Sequence, residues 1–180
     1  LGCGYCKKSG FINIDYKKSA DIRLDLRKPL PFADGSCVLI FSEHFIEHLN
    51  FPEGLENFLT DCYRLLSHGG VLKLSVPDTL WPLATFCNNS DEWIIACEKH
   101  GWHPDECSTY MEHLNFHFRQ RWRGTLESDF ACHRFAFDYE TLEKKLLEAG
   151  LVNIHKRNFD IFLDNKNRKD GSLFVQAEKP

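Results

Sequence analysis

Two groups of residues in this 180-residue chain could do chemistry. The first opens on Leu1-Gly2-Cys3-Gly4. A Gly-x-Gly turn lets backbone approach a ligand closely and leaves amide donors free. The turn is common by itself, and its weight comes from the ordered series of acids after it. The run Phe11 to Ile14 ends in Asp15, placed to accept both hydroxyls of a ribose. A second run ends in Asp25-Leu26, and a third in Ser42-Glu43-His44. The second group is metal-capable by type. His44 and His48 are four residues apart, with Glu43 and Glu47 beside them, and could share a helical face. They do not make the His-Glu-x-x-His zinc pattern, because no glutamate directly follows the first histidine. Cys97, His100, His103 and Cys107 are compactly spaced, and Cys3 and Cys6 form a Cys-x-x-Cys whose first member sits inside the glycine turn. Neither set has a second clean pair. Scattered core thiols and surface histidines, with no bound metal, are the expectation.

Short apolar runs alternating with helical patterns must position these residues, the rhythm of an α/β sheet. Strands are expected at 11–15, 21–26 and 37–41. A helix is expected from Pro52 to His68, because Leu55, Phe58, Leu59, Cys62, Leu65 and Leu66 recur on one face before Gly69-Gly70. Val71 to Val76 reads as a strand stopped by Pro77, and Asp138 as the cap of a helix closed by Gly150. Two strands, at 152–157 and 172–177, complete the pattern. Between Thr79 and His133 the rhythm breaks. That stretch holds nine aromatics, all four tryptophans among them, and five of the nine histidines. Such an insertion after a strand is where an α/β enzyme often places its lid and substrate pocket.

Composition narrows the classes. The length suits one domain, and 43% apolar with 27% charged residues is an ordinary globular balance. A net charge of -4 gives no electrostatic footprint for generic nucleic-acid binding. No apolar run approaches the roughly 18 residues of a membrane span. Eight cysteines without disulfide-scaffold spacing read as reduced thiols in a cytoplasmic protein.

In this order, LGCG, GFINID, DLRKPLPF, SEHFIEHL and RLLSHGGVLKLSVPD, the motifs resemble the small class I S-adenosylmethionine-dependent methyltransferases. The likeness is close over residues 1–78 and weak over 135–180. It implies a Rossmann-like methyltransferase fold: a mostly parallel twisted sheet with an antiparallel strand near one edge and helices on both faces. One domain would span 1–180, with the 79–133 insertion as substrate lid. Gly2, Cys3 and Gly4 would form the loop under the methionine part of S-adenosylmethionine. Asp15 would hold the ribose, Asp25 and Leu26 would border adenine, and Ser42 and Glu43 would lie beside the sulfonium.

Two departures stand out. Ten residues separate Gly4 from Asp15, so a compact loop, with Lys7 or Lys8 near the cofactor carboxylate, must replace the usual helix. The chain also opens at the end of what should be a central strand, so a truncated first strand is the expectation. A dinucleotide oxidoreductase shares the sheet and the ribose acid, but its third glycine position holds Lys7.

Methyl transfer needs alignment and, for a hydroxyl or amine acceptor, a base. The resemblance makes His44 the first candidate and Glu43 the second. Asp78, His113, His117, Arg121 and His133 are candidates to bind the acceptor. Arg119, Arg121 and Arg123 would share one side of an extended segment and suit a phosphate or carboxylate. The acceptor is expected to be a small molecule, such as a sugar or other polar metabolite, with no nucleic-acid or membrane partner. The rivals are a cofactor-binding scaffold without its own catalysis and a zinc-dependent protein.

Overall fold

A computed structural model describes residues 1–120 and 132–180. Two short strands, β1 (Ile14–Asp15) and β2 (Ile22–Arg23), pair in parallel. A larger sheet has the order β3-β4-β6-β5, from β3 (Cys37–Glu43), β4 (Leu66–Pro77), β6 (Ser172–Glu178) and β5 (Val152–Lys156). β3 and β4 run in parallel, and β6 runs against both of its neighbours next to the β5 edge. Leu1 and Gly2 lie between the two sheets: the Leu1 nitrogen donates to Phe41 O at 2.6 Å and Gly2 N to Ile14 O at 2.9 Å.

The core forms on one face of the larger sheet. Ile40, Leu72 and Ala177 make one row across three strands, and Ser42, Leu74 and Val175 the next. Against this face pack α1 (Glu53–Leu65) and α5 (Tyr139–Glu148), through Leu55, Leu59, Leu142 and Leu146. Each such buried leucine contributes about 1.5–3 kcal/mol. Asp138 caps α5 by accepting from Thr141 N at 2.9 Å. The opposite face carries Phe41, Lys73, Glu43 and Phe174. The 157–165 segment reaches it through an Asp160–Lys73 ion pair and a Phe159–Phe174 ring contact.

The α1 pattern is right but its end is not. The helix stops at Leu65, and the expected Leu66–His68 turn already belongs to β4. Leu66 pairs with Cys37, whereas Leu39 pairs with Val71, so residues 67–70 bulge out of the ladder. Gly70 permits this, because a Cβ there would come within 2.8 Å of Ser67 O. Strand pairing and burial of Leu66 override the helical periodicity that includes it.

The insertion contributes α2 (Leu80–Cys87), α3 (Glu92–His100) and α4 (Tyr110–Arg119). They enclose a second cluster of Trp93, Cys97 and Leu114, with Trp81, Trp102, Tyr110 and Phe118 around it. Its aromatics are thus largely a core of their own. α4 starts with a capping box, in which Thr109 Oγ1 accepts from Glu112 N and Glu112 Oε2 accepts from Thr109 N and Ser108 N. Those backbone donors, with the Ser108 hydroxyl, hold the Glu112 carboxyl at about 2. A lowered folded value means the contribution is complete above the unfolded value near 4.5 and is lost as pH falls through about 2. Acidification through that window is expected to release the Ser108 and Thr109 amides, read as loss of hydrogen-exchange protection, and Glu112→Gln is expected to remove the pH dependence.

Candidate functional site

The first component is the glycine loop. Gly2 (φ +68°) and Gly4 (φ +54°) both take the left-handed conformation. A Cβ on Gly2 would strike Phe45 at 2.7 Å, whereas one on Gly4 would meet nothing within 4 Å, so the loop is open on the Gly4 side. Asp15, half-buried at the end of β1, accepts from Gly4 N through Oδ2 and from Lys17 N through Oδ1, both at 2.8 Å. Its carboxylate is thereby fixed beside the loop, with further lone pairs still available. Cys3 lies between the two glycines, half-buried, with burial raising its thiol. Lys7 pairs with Asp21, and Lys8 reaches Glu43 at 3.9 Å.

β3 delivers the second component. Ser42, 1% exposed, leaves its hydroxyl without a partner. Glu43 ties three segments together: Oε1 accepts from Asn165 N at 2.7 Å, while Lys8 and Arg168 flank Oε2 at 3.9 and 3.8 Å. His44 follows at φ +50°, a left-handed value unusual for a non-glycine residue. Its Nε2 lies 2.7 Å from Ser172 Oγ. Burial, and then the Arg168 guanidinium, hold His44 well below the usual imidazole value, so the ring is neutral near neutral pH.

Beyond His44 comes a residue that the sequence marks only as a neighbour of the metal-capable His44 and His48. Glu47, in a short 3-10 turn at Ile46–His48, is 1% exposed. His44 Nδ1, His48 Nε2 and His133 Nε2 stand 3.7, 4.0 and 4.0 Å from its Oε1. Neither carboxylate oxygen has a hydrogen-bond partner, and burial pushes the group up to about 8. Burial likewise lowers His48, and lowers His133 to about 3. The only hint in the sequence was the His44-x-x-Glu47-His48 spacing, since convergence with His133 requires the fold.

The other candidates separate. His117 donates from Nε2 to Asp78 O at 3.1 Å, and His133 donates from Nδ1 to His117 O at 2.8 Å, so Asp78, His117 and His133 come together. His113 belongs instead to the insertion, with its Nδ1 2.8 Å from His103 Nδ1. His100 stacks on Trp102 away from Cys97, so the compact metal-like group there is Cys97, His103 and His113, without His100 or Cys107. Asp25 is occupied by an ion pair with Arg27 at 2.9 Å, and Leu26 is a core residue. Arg121, with Arg123, lies outside the described residues. An open cleft of about 380 Å³ is lined by Asp78, Lys156, Arg157, Ser172 and Phe174 among others. Ser172 thus stands between His44 and this cleft.

The Methyltransferase domain family matches residues 7–74. No curated protein matches the chain. Among solved structures, a SAM-dependent methyltransferase from Archaeoglobus fulgidus aligns at TM-score 0.52 and 14% identity, covering 92% of this chain and 74% of its own. A possible exported protein from Bordetella parapertussis aligns at TM-score 0.52 and 13% identity, over 88% of this chain and 43% of that one. PigF with SAH aligns at TM-score 0.50 and 12% identity, over 88% and 35%. This chain therefore spans less than half the length of two of these three proteins. At these identities the structures speak for the fold, a Rossmann-like α/β sheet.

Proposed function

We propose that this chain is a class I S-adenosylmethionine-dependent methyltransferase that binds its cofactor at the carboxyl ends of β1 and β3 and transfers the methyl group to a small polar acceptor. The observation that carries the reading is the fixed pairing of Asp15 with the open Gly2–Gly4 loop, within and beside the 7–74 segment that matches the family. The cofactor, when bound, supplies an activated methyl group on a sulfonium.

Everything else falls to the chain. Asp15 would accept from the ribose, the Gly4 backbone would border the methionine part, and the unpartnered Ser42 hydroxyl would serve as a polar contact close by. Glu43 holds the loops carrying Lys8 and Asn165 in place and so helps exclude water. The acceptor would enter the cleft beside Asp78 and Ser172, whose volume lies in the range of small-molecule sites. Neutral His44 would receive the acceptor's proton by way of the Ser172 hydroxyl, 2.7 Å away. The insertion would cover the acceptor as a lid. The cleft's mixture of Lys156, Arg157 and Asp78 favours a polar metabolite.

Thermal unfolding with S-adenosylhomocysteine is the first test. Ligand at about a hundred times its dissociation constant adds about 2.7 kcal/mol, which should raise the midpoint by several degrees at about 2–4 °C per kcal/mol. NAD is expected to leave the midpoint unmoved, and a shift with NAD alone would sink the proposal. Asp15→Asn removes a charge-assisted acceptor valued at about 1.5–3 kcal/mol, so calorimetry should show S-adenosylhomocysteine binding roughly ten- to a hundredfold more weakly. His44→Ala is expected to keep that binding and lose turnover with an identified acceptor. Unchanged turnover would remove His44 from the mechanism.

A further inference from the structure

The group around Glu47 has a feature that methyl transfer does not explain. A buried carboxyl group with neither oxygen bonded is costly, and native structures rarely tolerate one without a partner. Here the partners that surround it are imidazoles, already oriented from behind. His48 donates from Nδ1 to Cys132 O at 3.1 Å, and His133 donates from Nδ1 to His117 O at 2.8 Å. Each neutral ring therefore carries its lone pair on Nε2, the atom that faces Glu47 Oε1 at 4.0 Å. Backbone carbonyls holding the far nitrogen of inward-facing imidazoles are the usual outer shell of metal-ligating histidines.

We propose that Glu47, His48 and His133 form a binding site for a divalent transition-metal ion of the zinc class. Their ligand atoms all lie within 4.8 Å of one another. Coordinate bonds of about 2.0–2.2 Å would place neighbouring ligands roughly 3.3 Å apart, so side-chain adjustments of an ångström or so close the site. Two imidazoles and a carboxylate suit zinc and its first-row neighbours, whereas calcium and magnesium prefer all-oxygen sets. Three protein ligands leave a coordination position open, as in catalytic rather than structural zinc sites. Glu47 and His133 also line a small cavity with Pro77, Thr79 and His117, which could hold a non-protein ligand.

The other metal-capable group among the described residues is weaker. In the Cys97, His103 and His113 cluster, the two rings already bond each other at 2.8 Å and the thiol lies 3.8 Å from His103. None of its side-chain nitrogens is a fully buried atom without a partner, whereas Glu47 leaves two such oxygens. The Glu47 site stands whether or not the chain transfers methyl groups, and its test needs no cofactor.

The full chain would be stripped with a chelator, passed through gel filtration, and titrated with Zn²⁺ and Co²⁺. Metal content is expected to reach one ion per chain, with a tetrahedral Co²⁺ absorption spectrum and a higher unfolding midpoint. Glu47→Gln keeps the shape of the side chain, and His133→Ala removes a second ligand from a different segment. Both are expected to weaken Zn²⁺ binding beyond the roughly 10–100-fold that changing an outer-shell partner costs, while His103→Ala binds normally. A chain that retains no metal would overturn the proposal. So would a Co²⁺–thiolate charge-transfer band that disappears in His103→Ala and persists in Glu47→Gln, which would place the ion at Cys97.

Discussion

Asp164→Ala should cost about 3–5 kcal/mol of folding stability, the range for removing one partner of a buried ion pair. Arg157 and Asp164 meet in a two-pronged contact, Nη1 to Oδ2 at 2.6 Å and Nη2 to Oδ1 at 2.7 Å. Their side chains are 7% and 0% exposed. The carboxylate also accepts from Asp160 N at 2.7 Å. Alanine would leave a guanidinium stranded against Phe174 and release the turn that leads into Asn165, the donor to Glu43. Denaturant titration reads the loss directly. A change below about 1 kcal/mol would mean that Arg157 swings into water and that the pair behaves as a surface one.

Gly2→Ala is the second large effect. At φ +68° an L residue pays about 1–2 kcal/mol for the left-handed conformation. Its Cβ would also sit 2.7 Å from Phe45 Cβ and Cγ, close to the backbone, where a side chain cannot simply swing aside. Overpacking of that kind costs about 1–3 kcal/mol. The combined loss of about 2–5 kcal/mol should appear as a lower unfolding midpoint. Because Gly2 N also bonds Ile14 O, next to Asp15, S-adenosylhomocysteine binding should weaken as well. Gly4→Ala is the useful contrast: it carries the same conformational cost at φ +54° but has no neighbour to strike. Equal losses from the two substitutions would show that the Phe45 contact relaxes freely.

What the sequence made legible was whatever depends on order along the chain. The α1 face, the β3 apolar run, the Asp138 cap and the succession from Gly2 to Asp15 to Ser42 are local patterns, and periodicity or spacing reports them. The end of α1 is not legible there, because Leu66 satisfies the helical repeat and the strand equally well, and only its pairing with Cys37 decides. The sequence shows Glu47 only as a neighbour of His44 and His48, for a related reason. An acidic residue after a strand normally faces water, and nothing local shows that His133, 86 positions later in the chain, closes over it. The place of His113 in the insertion puts it among the acceptor candidates. Packing beside Trp93 and His103 gives it different company.

All four tryptophans fall within the 79–133 insertion, and Trp93 is completely buried in its cluster, whereas the α1–α5 core on the sheet contains none. Intrinsic tryptophan emission therefore watches one part of the molecule, while far-ultraviolet circular dichroism watches the sheet and its helices as well. The protein carries a built-in optical label on the segment proposed to cover the acceptor. A quenching or spectral shift on adding a small molecule would report an event in that segment without any dye or engineered probe.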